Sequence, residues 1–376
     1  MPSHVDTVDV GAIDVDTPSD RLASDLEFCY ESLDRVSRSF ALTVPVLPQP
    51  LRDQVCVSYL LCRIADTIED AEDIPVTLRQ SALMSFREYI SGLCGGRYDA
   101  AQASLSPVII DWPRSGHDGY DTLMRQAMCV CRVFDRFPAD VKGVISDCVD
   151  EMCVGMSSCL KPSHLQAAES VSPSSISCMS TTLEELERYC HYVAGVVGTM
   201  LTKLFDYQLY ADEQIKSVGS YATAHGLAQG HRFGLGLQLT NIIKDRKEDW
   251  ERGVSFLPEQ WHCIDPVSQR MATQPDTYPD LDASAKDALI ARTVAHLDQA
   301  KDYILSMPIE AEGIRLFCLW SVWIAVATMR EAAMPGNTAP KIKKTELFEI
   351  IEATKASVAD NATLQAQYTA LRSSLK

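Results

Sequence analysis

The chain has 376 residues, of which 46% are hydrophobic, so it is long and apolar enough to build a large buried core. Its formal net charge is −17 at pH 7. This charge argues against two partners, nucleic acids and anionic membranes bound by electrostatic adhesion, because both require a basic surface. It is compatible with a diphosphate ligand when a divalent cation supplies the positive charge.

Apolar residues recur every three or four positions along most of the chain, which is the spacing of amphipathic helices. Prolines, glycines and serine-rich runs separate these segments, and no strand pattern competes with them. Helices are predicted, in chain order, at 22–35, up to 44, 51–70, 75–93, 120–137, 141–160, 183–210, 214–250, 285–306, 310–333 and 341–375. The segments 214–250 and 341–375 each fit one helix or a pair. The prediction is therefore an all-α fold.

The N-terminal tail and the longest apolar run bear on targeting and membrane anchoring. Residues 1–20 are acidic and lack an apolar core, which predicts a disordered tail before a domain at 21–376 and fits neither a signal peptide nor a transit peptide. The longest apolar run, Leu316 to Met329, is too short to span a bilayer. We therefore expect no transmembrane anchor.

The thirteen cysteines are an odd number, and none forms a Cys-x-x-Cys pair. Several lie at helical spacing within apolar runs, such as Cys56 and Cys62. This usage is typical of reduced, buried thiols and not of a disulfide framework or a zinc site. It predicts a cytoplasmic protein.

An acidic motif occupies the predicted helix from Gln238 to Asp249. Residues three or four apart share a helix face, so this motif aligns the polar side chains of Gln238, Asn241, Asp245, Glu248 and Asp249. Carboxylates beside an apolar run are costly unless a cation neutralises them. Mg²⁺ that also bridges to a phosphate is the usual solution.

A second copy of this spacing ends the helix predicted at 51–70. Asp66, Glu69 and Asp70 repeat the pattern, and Tyr59 and Arg63 lie on the stripe that leads to Asp66. One such cluster is more often a solvated helix face. Two copies with the same spacing favour a pair of facing motifs that hold Mg²⁺ ions and, through them, a diphosphate.

Three further features were weighed for a role in the same site. Asp147, Asp150 and Glu151 form a third acidic cluster, which fits an exposed face as well as a cavity wall. Small residues at Ala194, Gly195 and Gly198 predict the close approach of another helix or of a long ligand. No carboxylate that would orient His191 is visible in the sequence, so we expect a packed or hydrogen-bonded histidine and not a catalyst.

At this point the motifs resemble those of the squalene and phytoene synthase family of head-to-head prenyl synthases. The resemblance covers about residues 22–371 and is closest to the squalene branch. It is carried by Ser37-Arg38-Ser39-Phe40, by Tyr59, Arg63 and Asp66 to Asp70, by Tyr189 to Gly195, by Asn241 to Asp249 with Phe256-Leu257-Pro258, and by Phe317-Cys318.

The resemblance implies a single-domain isoprenoid synthase bundle around a central apolar cavity. It implies metal ligands at Asp66, Glu69, Asp70, Asn241, Asp245, Glu248 and Asp249. Substrate contacts are expected at Ser37, Arg38, Ser39, Phe40, Tyr59, Arg63, Gln238, Asn241 and Phe317. Tyr189 would lie near the reacting carbons, and Asp66, Asp70, Asp245 and Asp249 would take part in catalysis through the metal.

The activity implied is a Mg²⁺-dependent condensation of two farnesyl diphosphates through presqualene diphosphate, followed by reduction with NADPH to squalene. The alternative is a related synthase that stops at presqualene diphosphate or gives dehydrosqualene, phytoene or another unreduced product. A head-to-tail prenyltransferase or terpene cyclase and a non-catalytic helical scaffold are the rival classes. We further expect a monomer that contacts a membrane peripherally to release its product.

Two positions depart from the family pattern. Val254 stands where the family often carries an arginine, and Ser321-Val322 stand where the squalene branch usually carries Pro-Gln. A missing guanidinium predicts a slower second ionisation unless another cation, Lys341 or Lys344, replaces it. On this reasoning Val254→Arg should speed the second step more than the first.

Overall fold

The structure is a computed structural model of the chain. It describes residues 18–96, 112–160, 177–178, 180–211, 220–262 and 281–375. Residues 1–17 of the tail predicted at 1–20 lie outside the described residues. Most of the three predicted loop regions, around 97–119, 162–182 and 264–283, lies outside them as well.

The all-α prediction is confirmed, because nearly every described segment is helical. In chain order the helices are α1 (Pro18–Val36), α2 (Arg38–Thr43), α3 (Leu51–Glu69), α4 (Val76–Cys94), α5 (Asp118–Arg125), α6 (Ala127–Asp135), α7 (Ala139–Cys159), α8 (Leu183–Cys190), α9 (Val196–Ala211), α10 (Ala224–Glu251), α11 (Ala283–Ser306), α12 (Glu312–Ala333), α13 (Lys344–Ser357) and α14 (Asn361–Ser373). Short 3₁₀ turns follow α2 at Val44–Val46 and precede α11 at Glu259–Trp261.

Local sequence signals explain where several helices begin and end. Thr182 caps α8 by accepting a hydrogen bond from the amide of Glu185. Pro75 and Pro138 stand immediately before α4 and α7, where a missing amide donor costs nothing. Beyond α10, Gly253 has φ +89°, a left-handed conformation that turns the chain away from the helix.

The segment predicted as one helix at 183–210 is interrupted by a π-helical turn at His191–Gly195. This turn inserts an extra residue between α8 and α9, so it shifts the faces that the two helices present. The segment 120–137 is divided at Gln126 into α5 and α6, and the C-terminal segment is a pair, α13 and α14. Periodicity alone does not reveal such local changes of winding.

One small element has no counterpart in the sequence prediction. Ser177–Cys178 (β1) and Val254–Ser255 (β2) form a two-residue parallel pair, with Ser177 opposite Val254. The pair is too short to show the alternation by which strands are recognised in a sequence. It fixes the segment that follows α10.

Helices α9 and α10 approach each other closely through small residues. A Cβ atom on Gly198 would lie 2.0 Å from the carbonyl oxygen of Gly230. A Cβ atom on Gly234 would lie equally close, 2.0 Å, to the carbonyl oxygen of Ala194. The prediction that the small residues near Gly198 admit a neighbouring helix is confirmed.

Helix α12 is the central apolar helix of the core. Among the described residues it is the one helix whose length and composition would let it cross a membrane, and 72% of that apolar stretch is buried inside the protein. This helix, Glu312–Ala333, is longer than the apolar run from Leu316 to Met329, which the sequence analysis found too short to span a bilayer. At its start the fully buried Arg315 donates to the backbone oxygens of Met307 and Val358, which joins α12 to the C-terminal helices.

Candidate active site

A central cavity of about 270 Å³ lies between α2, α3, α7, α9, α10 and α12. Most of its wall is apolar, with side chains such as Phe40, Met152, Leu201, Phe233 and Ile324. A largely apolar cavity of this kind suits a hydrocarbon ligand. The central apolar cavity expected for the fold is therefore present.

The polar part of the cavity wall comes from the two helices that carry the acidic motifs. Helix α3 contributes Arg63 and Asp66, and helix α10 contributes Gln238, Asn241 and Lys244. The chain thus brings charged groups from both motifs to the same apolar cavity. A ligand with a charged head and an apolar tail matches this division.

In the first motif, the Arg63 guanidinium holds Asp66, with a shortest N–O distance of 3.3 Å. Partial burial raises the pKa of the Asp66 carboxyl to about 6, although Arg63 acts in the opposite direction. Arg63 also donates to the hydroxyl of Tyr59 at 3.2 Å, and its charge lies 5.6 Å from the ring centres of Tyr59 and Tyr120. These contacts fix the guanidinium beside the cavity.

Glu69 is a buried carboxylate with spare binding capacity. Its Oε1 is buried and has no hydrogen-bond partner among the described residues, while Oε2 accepts a 3.5 Å hydrogen bond from the hydroxyl of Tyr189. Burial raises the pKa of the Glu69 carboxyl well above its ordinary value. A buried oxygen without a partner is costly, so this atom is suited to binding a cation or a proton.

Tyr189 lies in the last turn of α8, two residues before the π-helical turn. Its ring stacks on Phe256 at 5.2 Å between centres, and burial raises the pKa of its hydroxyl well above the ordinary value. Tyr189 and Phe256 line a second cavity, of about 290 Å³, together with Arg188 and Tyr192. The hydroxyl therefore meets the first acidic motif at Glu69, while the ring borders this second cavity.

In the second motif, basic side chains accompany each acidic one. Lys244 lies 3.3 Å from Oδ1 of Asn241 and 3.2 Å from Oδ2 of Asp245. Glu248 is exposed and accepts from Lys341 at 3.3 Å. Asp249 is largely buried and is paired with Arg252; burial raises the pKa of its carboxyl to about 6.

The two acidic motifs lie near each other at their C-terminal ends. The charges of Asp70 and Asp249 interact, and Arg252 acts on both of them. This arrangement agrees with the prediction of facing motifs. In the described part of the chain, no group of three or more His, Cys, Asp and Glu side chains is already gathered as a metal site.

The donor set nevertheless fits a hard divalent cation. Carboxylate and amide oxygens are the ligands that Mg²⁺ prefers, and the predicted ligands on α3 and α10 supply only such oxygens. The free Oε1 of Glu69 adds a buried donor that needs a positive partner. Protein cations hold four of the other carboxylates, through Arg63, Lys244, Arg252 and Lys341.

The predicted substrate residues take different places. Ser39 and Phe40 line the central cavity. Ser37 is buried and caps α2 by accepting from the amide of Phe40 at 3.0 Å, and Arg38 is exposed. Phe317 is fully buried behind Phe40, with 6.0 Å between the ring centres, so it supports the cavity wall from outside.

His191 is hydrogen-bonded, as one of the two expected roles, but it has a carboxylate partner that the sequence did not show. Its Nε2 lies 3.1 Å from Oε1 of Glu151, and its Nδ1 lies 2.9 Å from Nε2 of His231. These contacts tie α7, the π-helical turn and α10 together. The partner was missed because Glu151 is forty residues earlier in the chain and meets His191 only through helix packing.

The same packing decides the role of the third acidic cluster. Asp147 is exposed, Asp150 pairs with Arg87 at 2.5 Å, and Glu151 holds His191. None of the three lines the central cavity. The exposed-face interpretation therefore fits Asp147, while the other two connect helices.

Three contributors to the site were not singled out from the sequence. Tyr120 reaches Arg63 from α5, a helix distant in the chain, and no local pattern indicates this. Lys244 follows Asn241 by three residues, a spacing that could have placed it on the polar face. Arg252 follows Asp249 by the same spacing, although it had been considered only as part of the helix end.

A comparison with known protein families identifies the family of the chain. The profile described as squalene/phytoene synthase matches residues 33–346. The chain belongs to the squalene/phytoene synthase family. The resemblance inferred from the motifs is thereby confirmed, and with it the relation to prenyltransferases of isoprenoid biosynthesis.

Individual relatives give the same assignment. The chain is 34% identical over 224 residues to a squalene synthase of Nicotiana benthamiana, a match covering 59% of this chain and 44% of the relative. It is 29% identical over 334 residues to the Schizosaccharomyces pombe squalene synthase, covering 86% of this chain and 64% of the relative. It is also 31% identical to the lycopaoctaene synthase of Botryococcus braunii, over 60% of this chain and 42% of that protein. These matches span less than two thirds of each relative.

Solved structures share the fold. TcSQS in complex with a ligand superposes with a TM-score of 0.69 at 24% identity, covering 93% of this chain and 91% of that one. A dehydrosqualene synthase superposes with a TM-score of 0.55 at 19% identity, covering 91% and 99%. At these identities the superpositions establish the isoprenoid synthase fold and not the product.

Proposed function

We propose that the protein condenses two farnesyl diphosphates head to head through presqualene diphosphate and reduces the product to squalene. The observation that carries this proposal is the central cavity, whose apolar wall ends at polar groups from both acidic motifs. A prenyl chain would lie in the apolar part, and its diphosphate would lie at Arg63, Asn241 and Lys244. The similarity to squalene synthases supports the choice of substrate.

In this proposal Mg²⁺ is held by oxygens of Asp66, Glu69, Asp70, Asn241, Asp245, Glu248 and Asp249. The metal would supply the positive charge that makes diphosphate a good leaving group. Lys244 and Arg63 would bind the diphosphate oxygens directly, because both side chains line the cavity. The cavity wall would exclude water from the allylic cation that remains.

The hydroxyl of Tyr189 is the group proposed to assist proton removal as the cyclopropane of presqualene diphosphate closes. Its hydrogen bond to Glu69 gives the proton a route to a carboxylate. The side chains of Phe40 and Tyr59, which lie 4.8 Å apart between ring centres, would contact the chain near its charged end. NADPH would supply the hydride of the final reduction.

One observation favours a second candidate, a synthase that releases presqualene diphosphate or an unreduced hydrocarbon. Val254 stands where the family often carries an arginine, and it is buried in β2. A guanidinium is thus absent from a position expected to contact diphosphate in the second step. The missing charge would slow that step without abolishing the first.

The proposal is tested by incubating the purified protein with farnesyl diphosphate and Mg²⁺, with and without NADPH, followed by mass analysis of the products. We expect presqualene diphosphate without NADPH and squalene with it. A product distribution that NADPH does not change would favour the second candidate. A longer diphosphate that forms only when isopentenyl diphosphate is added would indicate a head-to-tail transferase, and no release of diphosphate under either condition would indicate a scaffold.

Matched variants make this experiment specific for the site. Asp245→Asn removes one carboxylate from the second motif, whereas Asp147→Asn removes an exposed carboxylate from α7 that lies outside the cavity lining. Only the first change should lower product formation, by roughly a hundredfold or more. A cytoplasmic location, a monomeric state and a peripheral membrane contact remain proposals, to be tested by cell fractionation and by sedimentation with and without lipid vesicles.

A further inference from the structure

Arg252 occupies an unusual position between the two acidic motifs. It is the residue after α10, where its amide donates to the backbone oxygens of Glu248 and Asp249. Its guanidinium turns back on the same helix end and pairs with the carboxylate of Asp249. The backbone is held by the helix and by β2, but the side chain itself is 56% exposed.

The guanidinium also interacts electrostatically with the first acidic motif. Its charge acts on Asp70 at the end of α3 and on Glu72 just beyond it. Arg252 therefore pairs with the second motif and interacts electrostatically with the first. An acidic pair brought together by folding needs such a positive charge, since two carboxylates repel one another.

We propose that Arg252 is an exchangeable countercharge, which holds Asp249 while the acidic motifs carry no divalent cation and yields that carboxylate when the cation binds. The inference rests on the proposed function, because it takes Asp249 as a metal ligand. Exchange is physically reasonable because the side chain is long, half-exposed and anchored only through its backbone. Solvent screens the exposed arginine side of this pair, so a divalent cation that binds Asp249 can displace the guanidinium.

The released guanidinium then lies beside the place where a metal-bound diphosphate would sit. Arginine binds phosphate oxygens through two parallel hydrogen bonds. Arg252 would thus take over the contact that Val254 cannot make, because the Val254 side chain is buried in β2 and carries no charge. The same residue would oppose metal binding alone and favour binding of the diphosphate to the metal-loaded protein.

These two effects of opposite sign provide the test. In the first titration Mn²⁺ alone is added to the variant Arg252→Gln, and electron paramagnetic resonance measures the free ion. In the second, pyrophosphate is added at saturating Mn²⁺, and calorimetry measures its binding. We expect about three- to fivefold tighter Mn²⁺ binding, as for the loss of an ion pair that solvent partly screens. We expect about tenfold weaker pyrophosphate binding.

Two further variants serve as controls. Lys247→Gln removes a positive charge from the last turns of α10, near Arg252. Lys247 pairs with Glu251 at 3.8 Å and not with the predicted metal ligands. This variant should therefore change either binding constant by less than about twofold at physiological salt. Arg252→Lys keeps the charge and should restore both constants in part. If Arg252 had a purely structural role, Arg252→Gln would weaken the binding of Mn²⁺ and of pyrophosphate together.

The outcomes separate the inference from the proposed function. If wild-type protein binds Mn²⁺ and Asp249→Asn binds it more weakly, but Arg252→Gln behaves like wild type, then Arg252 is not a countercharge and the metal assignment stands. If Arg252→Gln weakens Mn²⁺ binding, the inference is also overturned. If the wild-type protein binds no Mn²⁺ with or without pyrophosphate, the metal assignment and the inference fail together.

Discussion

The hydroxyl of Tyr189 lies 3.5 Å from Oε2 of Glu69 and donates a hydrogen bond to it. The two residues are 120 positions apart, and the contact joins the end of α8 to the first acidic motif. Both groups are buried, and burial raises the pKa of each. The pair therefore places a neutral proton donor and a proton-accepting oxygen at the border of the proposed metal site.

The first prediction concerns this hydroxyl. Tyr189→Phe keeps the ring stacked on Phe256 and deletes the group proposed to assist proton removal. Formation of presqualene diphosphate should fall by about a hundredfold, in the range of general acid–base groups, with little change in substrate affinity. Rapid-quench single-turnover kinetics measures both. The exposed Tyr210→Phe is the control, and an unchanged first step in Tyr189→Phe would show that the tyrosine only packs.

The second prediction concerns the acidic motifs. Asp66→Asn and Asp245→Asn each remove a charge that is proposed to hold metal, so diphosphate release should fall by roughly a hundredfold or more. Both side chains are partly exposed, 25% and 34%, so the fold should tolerate the change. A coupled pyrophosphate assay and thermal unfolding measure the two effects. Near-normal turnover in both variants would contradict the metal assignment.

The third prediction revises an expectation drawn from the sequence. An arginine at position 254 was expected to speed the second step, but the structure buries Val254 in β2 opposite Ser177. Val254→Arg should instead lower the free energy of unfolding by about 1–3 kcal/mol, because a large charged group does not fit there. Chemical denaturation measures this loss, with Val254→Thr as the control of similar shape.

The same variant should not convert presqualene diphosphate to squalene faster than wild type. Single-turnover conversion in the presence of NADPH measures this rate. A faster second step with an unchanged unfolding midpoint would indicate that position 254 does contact the diphosphate. It would also argue against the assignment of that contact to Arg252.

The fourth prediction concerns the approach of α9 to α10. Gly198→Ala places a methyl group against the backbone of Gly230 and should destabilise the protein by about 1–3 kcal/mol. Gly143→Ala is the matched control, because a Cβ atom there meets nothing within 4 Å. That change should stabilise α7 by about 0.5–1 kcal/mol. Equal effects of the two substitutions in denaturant titrations would contradict the packing described.

The fifth prediction concerns His296, whose side chain is only 2% exposed. Burial, and next the charge of Arg292, lower the pKa of its imidazole from 6.5 to about 4. Between these values the unfolded chain binds a proton that the folded protein does not. The free energy of unfolding should therefore fall as the pH decreases through this window, by about 3 kcal/mol at most.

Other groups titrate in the same range, so a difference measurement isolates this contribution. Denaturant titrations of wild type and His296→Leu should diverge with pH, with the wild type losing more stability towards pH 4. The exposed His225→Leu should follow the wild type. Parallel curves for wild type and His296→Leu would show that His296 is protonated in the folded protein.

Much of the fold could be predicted because its signals are local. Helices that bury one face repeat apolar residues at three and four positions, and caps such as Thr182 act on the next few amides. The acidic motifs were visible for the same reason, since one helix face aligns Asp245 and Asp249 within a few residues. The small residue Gly198 predicted a close neighbour, although it did not say which helix that neighbour was.

The sequence by itself thus determined the all-α architecture, the two acidic motifs and the family. Only the tertiary structure decided that Glu151 meets His191, that Tyr120 covers Arg63, that Phe317 lies behind the cavity wall and that Val254 is buried. These contacts join helices distant in the chain, and their geometry depends on packing angles and on the extra residue of the π-helical turn. No local periodicity encodes such contacts, because each is the outcome of how all the helices fill the same core.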